Sequence, residues 1–253
     1  LHPTHPQAYG FVERIERPDA LGDVTSYREL RNDPPKPSSW PSLSVVIPLH
    51  GGREDVAACL SSLQALDDLI AEVVVVNDAS PDDAADAVTG YANVRLIELP
   101  ENRGFAEASN TGFEETSGEI VLFLNSDTRV PRAGLIRLIE SLTAGGTVGA
   151  AGPMTNNAGY GHRVFATYAD PEGLDRFARD FAGRRTEDID VSMLVGFCLA
   201  VRRSVLAEIE GPPFDVRFGR GLFEDNDLCY RILRAGYRLR MATRAYVHHE
   251  GSK

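Results

Sequence analysis

The sequence predicts an α/β protein built on a doubly wound, mostly parallel sheet flanked by helices. Three observations predict it. Four short, apolar, β-branched runs lie between residues 44 and 124, a helical pattern follows each, and a polar cluster stands at the end of every run. Strands buried on both faces read as continuous apolar runs, because helices cover both sides of a parallel sheet. Four β-α units in succession favour one such sheet.

Taken in order, SVVIPL (44–49) predicts the first strand and residues 55–66 the helix after it. EVVVV (72–76) predicts the second strand, with a helix over 81–91. VRLIEL (94–99) and EIVLFL (119–124) predict the third and fourth, followed by helices over 105–116 and 133–143. The second half is less regular. MLVGFCLAV (193–201) predicts a buried strand with a helix over 203–209. Leu228, Ile232 and Leu233 share helical spacing ahead of Gly236, a natural C′ residue, and YRLRMA and AYVHHE predict short strands. Residues 1–41 carry Pro3, Pro6, Pro18, Pro34, Pro35, Pro37 and Pro41 and predict an extended lead-in or linker. Residues 42–253 are then expected to form one domain. A start at Leu1 and an end at Lys253 are expected of a segment cut from a longer polypeptide, with any membrane association residing in parts absent from this chain.

Bulk properties narrow the function. A net charge of −11 argues against a nucleic-acid partner, which requires a basic face to displace counterions. It leaves room for a nucleotide whose phosphates a divalent cation neutralises. Cys59, Cys198 and Cys229 are odd in number and widely spaced, so a reducing, cytoplasmic location is expected. No apolar run reaches the roughly 18 residues of a membrane span.

The polar clusters carry the chemistry. His50 with Gly51-Gly52, Asn77-Asp78, Asn102-Arg103-Gly104 and Asn125-Ser126-Asp127 follow the four strands in turn. In open α/β sheets ligands bind beyond the carboxyl ends of the strands, so the four converge on one edge. Asn125-Ser126-Asp127 is either a polar turn that stops a strand or a set of oxygen ligands for Mg²⁺ or Mn²⁺ beside a phosphate. Asp78 is either the acceptor for a pyrimidine imide N–H or, as the first residue of Asp-Ala-Ser-Pro, the start of an Asx-turn or the N-cap of the helix near Pro81. Gly104 opens a helix whose amides attract anions. Neither a G-x-G-x-x-G fingerprint nor a G-x-x-x-x-G-K-[ST] loop occurs, which disfavours a dehydrogenase or P-loop enzyme. Glu224-Asp225-Asn226-Asp227 is either first-turn capping, with Arg231 pairing to Asp227, or the source of a general base. His248 and His249 point to opposite faces of a strand, so one of them at most serves a given site.

SVVIPLHGG, VVVVNDASPDD, NRGFAEASNTG, IVLFLNSDTRV, VGFCLAVRRSVLAEI, FDVRFGRGLFEDNDLCYRILRAGYRL and AYVHHEGS, in this order, resemble the family 2 inverting glycosyltransferases of the GT-A fold, and within them the rhamnosyltransferase-like subgroup. The likeness runs from Ser44 to about Ser252. His50 stands where a Tyr-Asn pair is more usual, Asn77 where the first acid of the V-V-D-D-G-S-T-D pattern stands, and Asn125 where the D-x-D motif has its first acid. The resemblance implies a metal-dependent inverting transfer from a UDP- or dTDP-sugar to a hydroxyl of a glycan or lipid-linked glycan acceptor, met at the inner face of the plasma membrane. It implies that Asp78 binds the base, that Pro48, Leu49 and His50 line its pocket, and that Asn102, Gly104, Asn125 and Ser126 contact the nucleotide sugar. Asp127 and His248 would hold Mn²⁺ or Mg²⁺, Asp225 would be the catalytic base and Glu224 would orient the acceptor. A non-catalytic nucleotide-sugar or carbohydrate-binding module and a sugar nucleotidyltransferase are the alternatives.

Overall fold

The computed structural model describes residues 34–251 apart from 92 and 220–222. Most of the proline-rich lead-in, residues 1–33, lies outside the described residues. Residues 34–41 run along the domain, with the Trp40 indole donating to the Leu69 carbonyl at 2.7 Å.

The α/β expectation holds. β1 (Leu43–Leu49), β2 (Glu72–Asn77), β3 (Val94–Glu98) and β4 (Ile120–Leu124) form the parallel half of an eight-stranded sheet. α1 (Arg53–Gln64) and α2 (Phe105–Glu114) connect them, as does α3 (Arg132–Thr143) after β4. Leu43, Val45, Ile47 and Leu49 of β1 pack into the core cluster with α1 and α3, while Val46 packs into the opposite cluster with α2, α5 (Arg203–Glu208) and α6 (Glu224–Arg234). That alternation is why the strand is apolar throughout.

With β6 (Val148–Met154), β7 (Ile189–Val191), β8 (Cys198–Arg202) and β9 (Arg238–Tyr246), the strand order is β3-β2-β1-β4-β8-β6-β9-β7, which makes the sheet mixed. β8 runs antiparallel to both β4 and β6, and β9 is parallel to β6. The strand expected over 193–201 begins only at Cys198, and residues 193–197 form the loop that enters it. YRLRMA, from Arg238 on, and the first two residues of AYVHHE, Ala245 and Tyr246, join in β9, leaving His248–His249 as a two-residue strand, β10, paired with β5 (Thr128–Arg129). The helix expected over 81–91 is a 3₁₀ segment, Asp83–Gly90. Its two aspartates and closing Thr-Gly are poor helix formers, and only Ala84 and Val88 are buried. β6, β7 and α4 (Pro171–Ala182) were not expected from sequence.

Two glycines set how closely helices approach the sheet. A Cβ on Gly112 of α2 would stand 2.4 Å from Val46 Cγ1, and one on Gly134 of α3 2.1 Å from the Tyr246 carbonyl oxygen. No described helix is long and apolar enough to cross a membrane.

Candidate active site

β1 lies between β2 and β4, so the chain leaves it toward one side of the sheet and returns on the other. This reversal opens a crevice at the strand ends, the place where open α/β sheets bind ligands. A cleft of about 1010 Å³ occupies it, lined by Pro48, Leu49, His50, Gly51, Gly52, Arg53, Glu54, Asp55, Asp78, Asn102, Gly104, Phe105, Asn125, Ser126, Asp127 and Gly251. The clusters after β1, β2, β3 and β4 thus meet in one cavity.

Asp78 is buried, and its carboxylate does not cap the following helix. Oδ1 accepts the Arg103 amide at 2.6 Å and Oδ2 the Gly104 amide at 2.7 Å. The turn that the Asp-Ala-Ser-Pro stretch suggested is made by Asn77 instead. Its Oδ1 accepts from the Ser80 amide and hydroxyl, while its Nδ2 donates to Glu98 Oε2 at 2.5 Å. Asp82 caps the 3₁₀ segment. Asp78 therefore ties the second loop to the third, and a carboxylate with about four acceptor positions retains capacity for a further donor. His50 Nδ1 donates to the Asp78 carbonyl at 2.8 Å, which leaves Nε2 to accept from Asn102 Nδ2 at 2.9 Å. Gly104 reaches its place at φ +89, a conformation that favours glycine.

The Asn125 amide extends the β4–β8 ladder by donating to the Phe197 carbonyl at 2.8 Å. Ser126 lines the cleft beside it. Asp127 Oδ2 accepts the Gly251 amide at 3.0 Å, and Oδ1 stands 3.3 Å from His249 Nε2. The structure thus brings His249, not His248, to Asp127. His248 faces the other way: Nδ1 meets the Tyr168 hydroxyl at 2.5 Å and Nε2 lies 3.1 Å from Glu250 Oε1. The antiparallel register of β10 against Thr128 and Arg129 decides which ring faces Asp127.

The donor set at this point suits a cation. His249 Nδ1 lies 2.7 Å from the Asn157 carbonyl oxygen and must carry a proton to bond there. Nε2 of the neutral ring is then a lone pair aimed at a carboxylate oxygen, which calls for a proton or a metal ion between them. Two metal–ligand bonds of about 2.1 Å meeting at a right angle separate their outer atoms by about 3.0 Å, close to the spacing found. Burial disfavours the His249 imidazolium, but the Asp127 carboxylate outweighs it and raises the pKa above the usual histidine value. Burial likewise opposes ionisation of Asp127, yet His249 and the Gly251 amide hold its pKa below the usual carboxylate value. Among the described residues no three His, Cys, Asp or Glu side chains cluster as metal ligands, so other ligands would come from substrate oxygens.

Glu224 and Asp225 open α6. Asp225 Oδ2 accepts the Gly196 amide at 3.0 Å and Oδ1 its neighbour's amide, that of Asn226, at 2.8 Å. A Cβ on Gly196 would press on Asp225 Cβ at 3.2 Å, so glycine allows this contact. The adjoining residue, Phe197, receives the Asn125 amide and stacks its ring on His249, with centroids 4.8 Å apart. Two consecutive residues therefore reach both clusters: Gly196 through its N–H to Asp225, and Phe197 through its carbonyl to Asn125 and its ring to His249. Burial and the neighbouring Asp225 charge raise the pKa of Glu224, and its Oε2 has no hydrogen-bond partner among the described residues. Asp227 pairs with Arg231 at 2.7 Å, the helical ion pair expected from their spacing, and Arg231 also binds the carbonyls of Glu210, Pro212 and Pro213. Gly196 and Phe197 were not singled out from sequence, and of the His248–His249 pair the resemblance had implied His248. The small-aromatic pair ahead of an apolar run was the signal available for the first two.

The sequence profile of Glycosyl transferase family 2 matches residues 44–210. The Pre-mycofactocin glycosyltransferase of Mycobacterium tuberculosis is 30% identical over 226 residues, covering 85% of this chain and 45% of that protein. The Probable glycosyltransferase YdaM of Bacillus subtilis is 25% identical, with 79% and 48% covered. The chain thus spans about half the length of these relatives. Among solved structures, the mannosyltransferase PcManGT from Pyrobaculum calidifontis in complex with GDP-Man and Mn²⁺ superposes with a TM-score of 0.63 at 24% identity, covering 90% of this chain and 63% of that one. GalNAc-T7 with UDP, GalNAc and Mn²⁺ gives 0.67 at 16%, covering 84% and 44%. Family profile, relatives and shared fold agree: this chain belongs to glycosyl transferase family 2.

Proposed function

We propose that the domain transfers a sugar from a nucleotide diphosphate donor to a hydroxyl of a glycan or lipid-linked acceptor by a single inverting displacement. The observation that carries this reading is the Gly196-Phe197 dipeptide, which holds a carboxylate, Asp225, through its first residue and contacts Asn125 and His249 through its second. A binding module has no use for a second carboxylate so held.

In this mechanism the base of a UDP- or dTDP-sugar enters between the β1 and β3 loops, with its imide N–H on the Asp78 carboxylate and Pro48, Leu49 and His50 alongside. Asn102 and Gly104 border the same pocket, while Asn125 and Ser126 face the sugar diphosphate. Asp127 and His249 would hold Mn²⁺ or Mg²⁺, and His249 replaces His248 in this role because its Nε2 faces Asp127. A bound cation supplies positive charge to the diphosphate leaving group. Asp225 accepts the proton of the acceptor hydroxyl as the new oxygen–C1 bond forms and the C1–phosphate bond breaks on the opposite face, which inverts C1. Glu224, its pKa raised, sits beside the base and orients the acceptor. PcManGT in complex with GDP-Man and Mn²⁺, and GalNAc-T7 with UDP, GalNAc and Mn²⁺, support a nucleotide sugar and a divalent cation. The NRGFAEASNTG and IVLFLNSDTRV stretches favour rhamnosyltransferase-like relatives within the family, and a cytoplasmic place at the membrane face suits a lipid-linked acceptor.

The test is Asp225→Asn. Nucleotide-sugar affinity by calorimetry should stay within about twofold, while turnover, read as donor hydrolysis or transfer with Mn²⁺, falls roughly 10²–10⁴-fold. Turnover near the wild-type rate sinks the base assignment. Asp127→Ala should weaken the Mn²⁺-dependent part of nucleotide binding, and unchanged affinity removes that residue from the cation site.

A further inference from the structure

β10 is only two residues long, too short to hold its own geometry, and its pairing with β5 satisfies one edge. We propose that Asn156 is a positioning residue for the cation site: its carboxamide serves as a rung on the free edge of β10 and keeps His249 Nε2 turned to Asp127. Asn156 Nδ2 donates to the His249 carbonyl at 2.8 Å, and Asn156 Oδ1 accepts the His249 amide at 2.9 Å. A planar amide making both bonds reproduces what a third strand would offer.

Asn156 is itself fixed. Its Oδ1 also accepts from the Thr155 hydroxyl at 3.2 Å and the Tyr246 hydroxyl at 3.3 Å. The next residue completes the arrangement. The Asn157 backbone carbonyl takes the His249 Nδ1 proton at 2.7 Å, and its side chain donates to the Glu250 carbonyl at 3.1 Å. Asn156 thus sets the distance between the Asn157 carbonyl and the imidazole, and that carbonyl selects the Nδ1–H tautomer. The tautomer in turn leaves Nε2 as the ligand atom. Partners of this kind commonly govern metal affinity 10- to 100-fold, although they never touch the ion.

This inference rests on the proposed cation site, so the test separates the two. Mn²⁺ is titrated into the purified chain by EPR, alone and with UDP or GDP. Imidazole tautomers are read by nitrogen-15 NMR of the metal-free protein above the His249 titration. Asn156→Ala should raise the Mn²⁺ Kd about 10-fold or more and mix the Nδ1–H and Nε2–H signals of His249. Asn157→Ala keeps the backbone carbonyl and should stay within about threefold. Asn156→Ser, a milder loss checked for native circular dichroism, should move both readouts in the direction alanine does. Either Asn156 variant with a wild-type Kd and tautomer overturns the positioning role. A wild-type protein that binds no Mn²⁺ under any condition, or a His249→Ala variant that binds it normally, overturns the cation site itself.

Discussion

Gly134 is the position at which one added methyl should do most harm. It sits in α3, and a Cβ there would lie 2.1 Å from the Tyr246 carbonyl oxygen, against a limit of 3.0 Å that real Cβ atoms essentially never cross. The helix must therefore retreat from β9 by about 0.9 Å, the difference between the two distances. Leu135, Ile136, Leu138, Ile139 and Leu142 of α3 are all buried and would move with it. A gap of 0.5–1 Å forfeits roughly a quarter to a half of each dispersion contact, and overpacking of this kind costs about 3 kcal/mol. Replacing a helical glycine by alanine returns about 1 kcal/mol of propensity. The net loss for Gly134→Ala is about 2 kcal/mol, a fall in Tm of roughly 4–8 °C for a domain of this size. Chemical denaturation with Gly146→Ala as control measures it, since nothing lies within 4 Å of a Cβ at 146. A Gly134→Ala protein as stable as wild type refutes the close-approach argument. Because β9 runs into β10, the same variant should also weaken Mn²⁺ binding under the proposed site.

Three further outcomes follow from the geometry. Asn77→Asp sets a carboxylate against Glu98 Oε2, which now accepts from Asn77 Nδ2 at 2.5 Å. It should cost about 1–3 kcal/mol by urea denaturation, most of it regained with Glu98→Gln; a cost that survives the second change contradicts the pairing. Ala79 holds φ +49, so Ala79→Gly should raise Tm by roughly 2 °C, and an unchanged or lower Tm shows that the turn carries no strain. The Asp127–His249 pair has one depressed and one raised pKa. Its contribution is greatest between the two. It is lost as pH falls through the Asp127 value and again as pH rises through the His249 value, about 1 kcal/mol in each direction. His249→Ala should flatten both limbs of the metal-free stability profile, and a profile that keeps both limbs assigns them elsewhere.

The parallel half of the sheet was legible because β1, β2 and β4 are apolar enough to be buried on both faces, and β3, the part-exposed edge strand, still carries Val94, Leu96 and Ile97. The convergence of their loops followed from topology alone. β6 was illegible: VGAAGPM is built from small residues with two glycines and a proline, a loop-like composition, and pairing with β8 and β9 makes it a strand. α4 does carry signals, since Asp170 caps it and Pro171 stands at its first position, but they go with an exposed amphipathic helix whose buried face meets only Tyr246 and its neighbours. At the candidate site, Asp127 and Asp225 are singled out by their motifs, and Asp127 lines the cleft. The choice between His248 and His249 could not be made that way, because it depends on the register of a two-residue ribbon formed across more than a hundred positions. Likewise, Asn77 read as a departure from an acidic pattern, and the reason, Glu98 on the adjacent strand, is a partner that pattern does not include.

The Gly196-Phe197 dipeptide reaches both halves of the site. Its first N–H meets Asp225 and its last carbonyl meets Asn125, so one short stretch of backbone spans the interval between them. Under the proposed mechanism, any tilt of that unit shifts Asp225 and the Asn125–His249 cluster together. Changes of acceptor are then free to accumulate in the loops on α6's side, while the interval across which the reacting centres meet stays the same from one substrate to the next.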